Sequence, residues 1–459
     1  MGLQKTIQRS LRSEIEHHMK ERGYTLSKLG ELTGINPGNL SDMLNRHPPR
    51  AITISQLDAM ATAFEQAPGW LYELYEEECF SEGKVSRPRV VPYLIRCAEI
   101  GRQDCIESVV SKLLENIKNV SILFSVAEQL FQSGMRKESV PFYQLVIESE
   151  KDSHAEHFVL AQYRLFRALL GTNADENWKA VIRFEPYRKR LPENFQLDAL
   201  LQLANACFTL HRWNEVERFA DELRELATAV YHDEVRKRKS KGAADILETE
   251  RHLVVYYGQG LLLKGVALQL QGRYEEATKC VHAYGDLGWF ELLDDTAERE
   301  IEKFREWAQA NMYTLNLLMG RTDLLFEYVN FLVNHPTEIL AGLLTIVESA
   351  NKFGFSVDDI LEQFSDHIAR FQDYKDPFNH TRHLHFRYHL AMYKFEKGRI
   401  AEGITETLRC LALSCMTKHQ QEFQQCVSLF WKHRHSASDH QIEHFQNILE
   451  GRINGCETC

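Results

Sequence analysis

Apolar residues recur along this chain at helical rather than strand spacing. Leu3, Ile7, Leu11, Ile15 and Met19 step by four and predict an amphipathic helix over 3–22, closed by Gly23. Thr25 is placed to cap a short second helix, Leu26 to Thr33, which Gly34 ends. Asn36 followed by Pro37 predicts the cap and first position of a third helix reaching about Asn45. Leu29, Ile35, Leu40 and Met43 would pack the second and third helices together, with Gly30 where they approach most closely. Two short helices joined by a Gly-containing turn make a helix-turn-helix unit. Ile54, Leu57, Met60, Ala61 and Phe64 form the next stripe, and Trp70, Leu71 and Leu74 follow, which predicts a five-helix domain ending near residue 78.

From residue 90 the pattern repeats itself. A helix ends in Gly, or once in His, a polar turn follows, and a second helix begins. The copies are EIGRQDCIESVVSKLL, QSGMRKESVPFYQLV, TLHRWNEVERFADEL, LQGRYEEATKCVHAY, LMGRTDLLFEYVNFL and EKGRIAEGITETLRC. Their turn residues are Gly101, Gly134, His211, Gly272, Gly320 and Gly398, with less regular copies at Gly171 and Gly354. The gaps are mostly 33–48 residues, with one of 61 between His211 and Gly272. A recurring helical hairpin of about 34 residues is the tetratricopeptide (TPR) signature. Each hairpin has too much apolar surface to stand alone and must bury it on its neighbours. In the best copy, Gly265 permits close approach, Tyr274 packs after the turn and Ala277 sits at the hairpin contact. The fold class expected is therefore all-α: an N-terminal five-helix helix-turn-helix domain (1–80), a linker (81–89), a TPR-like α-solenoid (90–450) and a tail (451–459).

Composition sharpens this. Over 459 residues, 44% are hydrophobic and 26% charged, ordinary for a globular chain, while only 11 Pro and 24 Gly leave long stretches free to be helical. The formal net charge is −11, yet residues 1–50 carry eight Lys/Arg against five Asp/Glu, so the acidity lies wholly in the remainder. Ten Cys, most within apolar helical patterns, read as thiols of a reducing compartment rather than a disulfide framework. The N-terminus has no apolar secretory stretch and no apolar run approaches the ~20 residues of a membrane helix, so a cytoplasmic protein with no membrane partner is expected.

Catalytic patterns are missing: no phosphate loop, no GxGxxG after a strand, no HExxH. The expectation is a non-enzyme without cofactor or metal. His380, His383, His385 and His389 crowd FNHTRHLHFRYH, but no Cys or carboxylate nearby in sequence completes a metal set, and they read as helix-face histidines or peptide contacts. Cys456 and Cys459 form a lone CxxC on the tail. The basic run 236–242 reads as a solvated loop or helix extension, with a nucleic-acid patch as the competing reading.

The stretch TLSKLGELTGINPGNLSDMLNR resembles the helix-turn-helix of the Cro/C1-repressor (XRE) family over its full length. One departure is Gly30, where the family usually has Ala; this lowers helix propensity but not packing. The resemblance implies that the third helix enters the major groove of double-stranded DNA by its N-terminal residues. Asn36, Asn39 and Ser41 would then face the base edges, with Pro37 and Gly38 shaping the approach. Asn can read adenine bidentately. Thr25, Lys28, Arg46 and Arg50 would contact phosphates. So few basic residues on the reading helix argue for a homodimer on a two-part site.

An XRE-type domain followed by a TPR solenoid resembles the RRNPP family, quorum-sensing peptide-pheromone receptors of Gram-positive bacteria and their phages. That resemblance implies a transcription regulator whose solenoid binds a short signalling oligopeptide and thereby changes dimer geometry. Family members use Asn side chains to satisfy the peptide backbone. By repeat register the candidates are Gln162, Asp198, Asn205, Gln259, Gln269, Asn311, Thr314 and Tyr388, with Asn205 foremost because Asn is unfavourable within LLQLANACFTL. The competing readings are a TPR protein-interaction scaffold, or a response-regulator-binding protein, tethered to DNA without a peptide ligand.

Overall fold

The computed structural model describes residues 9–81, 84–150, 155–171, 173–241, 247–291, 294–374, 377–417 and 420–452. Helices α1 (Leu11–Glu21), α2 (Leu26–Thr33), α3 (Pro37–Leu44) and α4 (Ile54–Ala63) follow the expected order, and the fifth element is shorter than expected. It is a 3₁₀ turn, Tyr72–Leu74, leading into a four-residue α5, Glu76–Cys79. A two-residue antiparallel ladder pairs Phe80 with Val85 and Ser81 with Lys84, a small departure from an all-helical chain. Leu3 and Ile7 lie outside the described residues.

Nine helical hairpins follow among the described residues. They are α6 (Arg87–Ile100) with α7 (Gln103–Leu114), α8 (Val120–Gln132) with α9 (Arg136–Ser149), and α10 (Glu156–Leu169) with α11 (Ala174–Phe184). Next come α12 (Glu193–Thr209) with α13 (Trp213–Lys241), α14 (Leu253–Leu270) with α15 (Tyr274–Gly285), and α16 (Asp295–Leu318) with α17 (Leu325–Asn334). Then α18 (Ile339–Phe353) is answered by two short helices, α19 (Asp358–Gln363) and α20 (Ser365–Arg370). Last are α21 (Pro377–Glu396) with α22 (Ile400–Thr417), and α23 (Gln420–His433) with α24 (Asp439–Leu449). The fold is thus a helix-turn-helix domain followed by helical repeats in a solenoid-like arrangement. Packing divides the chain into two units, 1–199 and 200–459.

In the first unit, one apolar core runs unbroken from Leu11 through Tyr72, Tyr93 and Val126 to Leu165. Helices α6, α8 and α10 pack on one another there, each also meeting a second helix of a hairpin. In the second unit, first helices α14, α16, α18 and α21 pack in succession. One of them contradicts the expectation that no run is suited to a bilayer: α14 is long and apolar enough by length and composition. It is nonetheless mostly buried, enclosed by α13, α15 and α16, and behaves as a core helix. The basic run continues α13 as far as Lys241, with Lys237 paired to Asp233 and Glu234 and Lys239 to Glu291.

The six expected turns share one backbone solution. Gly101, Gly134, Gly272, Gly320 and Gly398 have φ between 74° and 89°, and His211 has φ 55°. In each, the next residue's N–H returns to the carbonyl five positions back: Arg102 to Cys97, Met135 to Leu130, Arg212 to Cys207, Arg273 to Leu268, Arg321 to Asn316 and Arg399 to Lys394, at 2.8–3.0 Å. These bonds satisfy helix-end carbonyls and fix the chain reversal. Gly354 caps α18 in the same left-handed region, whereas Gly171 does not adopt it. His211 is the one L-residue among the six turns, and its ring lies 5.2 Å from that of Trp213.

Gly272→Ala places a Cβ on a left-handed residue without removing any contact, since nothing surrounds that position. It is expected to destabilise the protein by about 1–2 kcal/mol, measured as a lower urea midpoint at unchanged slope.

Candidate nucleic-acid interface

The helix-turn-helix is assembled from local caps. Thr25 accepts from the Lys28 N–H at 3.2 Å and starts α2; Gly34, at φ 71°, ends it. Thr33 Oγ1 donates to Leu29 O at 2.7 Å and accepts from Ile35 N, which holds the turn. Asn36 Oδ1 accepts from Gly38 N at 2.8 Å, and Pro37 opens α3. Leu29, Leu40 and Met43 are fully enclosed, and Ile35 is half-buried. Gly30 has a stronger reason than the sequence suggests: a Cβ there would stand 2.7 Å from Ile35 O and 3.0 Å from the Pro37 ring. The residue that opens the reading helix therefore excludes a side chain from α2.

A long-range polar cluster fixes the far end of α3. Arg12, on α1, donates from Nε to Met43 O at 2.9 Å and from Nη2 to Arg50 O at 3.2 Å. The same guanidinium pairs with Glu78 at 2.7 Å, whose other oxygen accepts from Ile52 N at 2.9 Å. Tyr75 closes the cluster by donating to Ile52 O at 2.9 Å. Neither Arg12 nor Glu78 stands out in the sequence: Glu78 ends an acidic run that looks solvated, yet it is buried.

The expected interface residues lie on or beside α2 and α3, and of them Asn39 and Arg50 are in contact. Asn36, Pro37, Gly38, Arg46 and Arg50 are exposed, and Asn39 and Ser41 are half-buried. Ser41 Oγ accepts weakly from Asn45 at 3.5 Å. Lys28 pairs with Glu31 at 3.1 Å and Arg46 stands 3.9 Å from Asp42, exposed pairs that yield readily to a phosphate. Arg50 does not follow this pattern. Its Nη1 donates to Asn39 Oδ1 at 2.7 Å.

The domain is seated firmly on the first hairpin. Tyr93 of α6 donates to Tyr72 O at 2.8 Å and stacks on Tyr75. Arg96 pairs with Asp58 at 2.9 Å, and Asp58 also accepts from the Tyr72 hydroxyl at 2.7 Å. Arg102 donates to Gly69 O at 2.6 Å, and Ser108 and Lys112 of α7 both bind Glu76.

All eight residues expected to face a peptide lie on first helices of hairpins, and their surroundings differ. Asp198 is enclosed, bound to the Tyr163 hydroxyl and 3.4 Å from Arg167. Asn311 donates to the Tyr284 hydroxyl at 2.7 Å, and Thr314 bonds to that of Tyr328 at 3.0 Å. Gln162 is buried, and its Oε1 has no hydrogen-bond partner among the described residues. Asn205, Gln259 and Gln269 are half-buried. Tyr388 lines an open groove of about 350 Å³ with Gln424, Gln425, Ser428, Leu429 and Lys432, residues the sequence did not single out.

Elsewhere several histidines and cysteines are buried. His383 accepts from Arg387, and burial drives its pKa down to about 3; burial likewise holds His389 near 4. His385 contacts Glu422 at 3.0 Å. Burial raises the Cys97 thiol to about 12 and pushes Cys105 and Cys280 upward, disfavouring thiolates. Among the described residues no group of His, Cys, Asp and Glu is arranged to hold a metal ion. Cys456 and Cys459 lie outside the described residues.

Residues 14–77 match the Cro/C1-type HTH DNA-binding domain family. No curated protein matches the chain. Among solved structures, a "Circular tandem repeat protein with novel repeat topology and enhanced subunit contact surfaces" aligns with 96% of this chain and 98% of its own, at 11% identity and a TM-score of 0.21. A score that low carries no inference about this chain.

Gly30→Ala raises the helix propensity of α2 yet inserts a methyl against backbone. It is expected to destabilise the helix-turn-helix by about 1–3 kcal/mol and to weaken duplex binding. Thermal unfolding followed by circular dichroism checks the first, and a gel-shift titration the second. An Ala variant as stable as the parent would show that α2 and α3 can separate without loss.

Proposed function

We propose that this chain is a transcription regulator that reads double-stranded DNA through α3 as a homodimer and is controlled by a short signalling oligopeptide held by its helical repeats. Residues 1–80 are the reading part, 90–450 the sensing and dimerising part, and 81–89 and 451–459 the linker and tail. The observation that carries the DNA-binding reading is the Cro/C1-type domain at 14–77, with α3 capped, buttressed at its C-terminal end and exposed at its N-terminal end. The setting is cytoplasmic, where both the DNA and the buried thiols are accommodated.

The peptide reading has a narrower base. A bound peptide has backbone N–H and C=O groups that must be satisfied, because buried unpaired amides are costly. Side-chain amides serve both kinds of group, and Gln424 and Gln425 beside Tyr388 offer them along an open groove. Lys432, at the same groove, supplies a cation for a peptide carboxylate. The close seating of the reading domain on α6 and α7 supports a mechanical link, since a shift of that hairpin carries α3 with it.

The full-length chain is expected to select a two-part duplex sequence, to sediment as a dimer, and to change its duplex affinity with a short peptide encoded beside its gene. Tyr388→Ala should leave peptide-free duplex binding intact while raising the peptide concentration for half-response about tenfold, read by fluorescence anisotropy of labelled duplex. Unchanged duplex affinity across all such peptides, together with a stable protein partner that blocks DNA binding, would favour the scaffold reading.

A further inference from the structure

We propose that Arg50 is the side chain that reads a base and that Asn39 aims it, an inference that rests on reading residues 14–77 as a duplex-binding domain. Arg50 lies in the loop after α3, where sequence reasoning makes it a phosphate contact. Its head, however, is returned to the third residue of α3: Nη1 donates to Asn39 Oδ1 at 2.7 Å. A guanidinium only donates, so the amide atom facing it is the oxygen. Asn39 is thereby fixed with its acceptor directed at Arg50, away from the arrangement in which oxygen and nitrogen together read adenine.

The root of Arg50 is held as firmly as its head. Its N–H donates to Asp42 O at 2.9 Å, and its carbonyl accepts from Arg12 Nη2 at 3.2 Å. Arg12 is itself anchored by Glu78 and Met43 O. Two backbone bonds and one side-chain bond thus set both ends of a long side chain that would otherwise wander. Unlike Lys28 and Arg46, Arg50 has no carboxylate beside it among the described residues, and it is exposed. Its remaining donors are free for a ligand.

The positions ahead of Asn39 strengthen the assignment. Pro37 and Gly38 open α3 and have no side-chain donor or acceptor with which to read a base edge. At the end of α3 that faces the major groove in this domain type, Arg50 thereby adds a guanidinium to the smaller polar side chains of Asn36 and Ser41. An oriented guanidinium matches guanine, whose O6 and N7 are both acceptors, and a bidentate fork to that pair is the commonest specific contact. A fixed fork also fits a phosphate bidentately, so it is sequence dependence that separates a base contact from a phosphate contact.

The test is selection of random duplexes by the full-length chain, followed by competition binding with Arg50→Ala, Arg50→Lys and Asn39→Ala, each checked for unchanged melting. The wild type is expected to select a guanine whose replacement lowers affinity about tenfold or more. Arg50→Ala and Arg50→Lys should lose discrimination at that position alone, although Lys keeps the charge. Asn39→Ala should weaken the guanine preference without abolishing it. The proposal is overturned if Arg50→Ala weakens all sequences equally and lowers the salt slope by about one, the mark of a phosphate contact. It is equally overturned if the selected base is an adenine whose preference depends on Asn39 and not on Arg50. A wild type that enriches no sequence would instead remove the duplex-binding reading beneath it.

Discussion

The pairing of Arg12 with Glu78 is the constraint on which the reading end of the molecule depends. Sixty-six positions separate the two residues, and between them they bind the last turn of α3, the loop at 50–52, and α5. A buried ion pair is weak evidence of stability, because desolvating two charges offsets most of their attraction. Its effect here is geometric. Each charge also bonds backbone, Arg12 to Met43 O and Arg50 O and Glu78 to Ile52 N, so removing either frees its partner together with those groups. A loop rich in His, Pro and Arg thereby acquires one path, and Arg50 emerges from it at a fixed place.

The same cluster joins the reading helix to the repeats. Tyr75, which closes it, stacks on Tyr93 of α6, and Tyr72 bonds both Tyr93 and Asp58. One apolar core continues through this junction from α1 to α10. A reading domain on a slack tether samples many orientations, and a change in the repeats would be lost in the tether. A domain that shares its core with the first hairpins turns when they turn. Under the function proposed above, the seating of α3 is what would carry a change in the first hairpins to the DNA.

Local signals in the sequence were legible. The caps at Thr25 and Asn36, the stop at Gly34, and the six turns with their left-handed residue all appear where short-range chemistry places them. Each depends on only a few neighbouring residues, so sequence suffices. Partners distant along the chain were not legible. Glu78 reads as one more acid in a solvated run, and Arg50 as one more phosphate-binding cation, until the loop path brings them to Arg12 and Asn39. Gly30 shows the boundary between the two cases: its place at the helix contact was visible, but that Ile35 O and Pro37 exclude any Cβ was not. On the repeats, register placed all eight candidates on first helices, but could not distinguish a free polar side chain from one engaged internally. Asn311 and Thr314 bond to tyrosines of neighbouring helices, while Tyr388 faces an open groove.

The charge distribution sets how such a domain can hold DNA. Sequence-independent affinity comes from cations placed on phosphates and from the counterions they release. The chain as a whole carries −11, its first fifty residues a net +3, and two of the cations nearest α3 already have carboxylates beside them. One copy therefore supplies few phosphate contacts and little non-specific grip. With Pro37 and Gly38 opening the reading helix, one copy also supplies few base contacts. In the homodimer proposed above, both shortages would be met by joining two copies rigidly, because the second domain would then bind at the effective concentration set by the first. Such a gain survives only while the spacing of the two reading helices matches that of their half-sites. In such a dimer a weak, well-oriented reader on a firm seat would for that reason be more sensitive to a change in the repeats than a strong one.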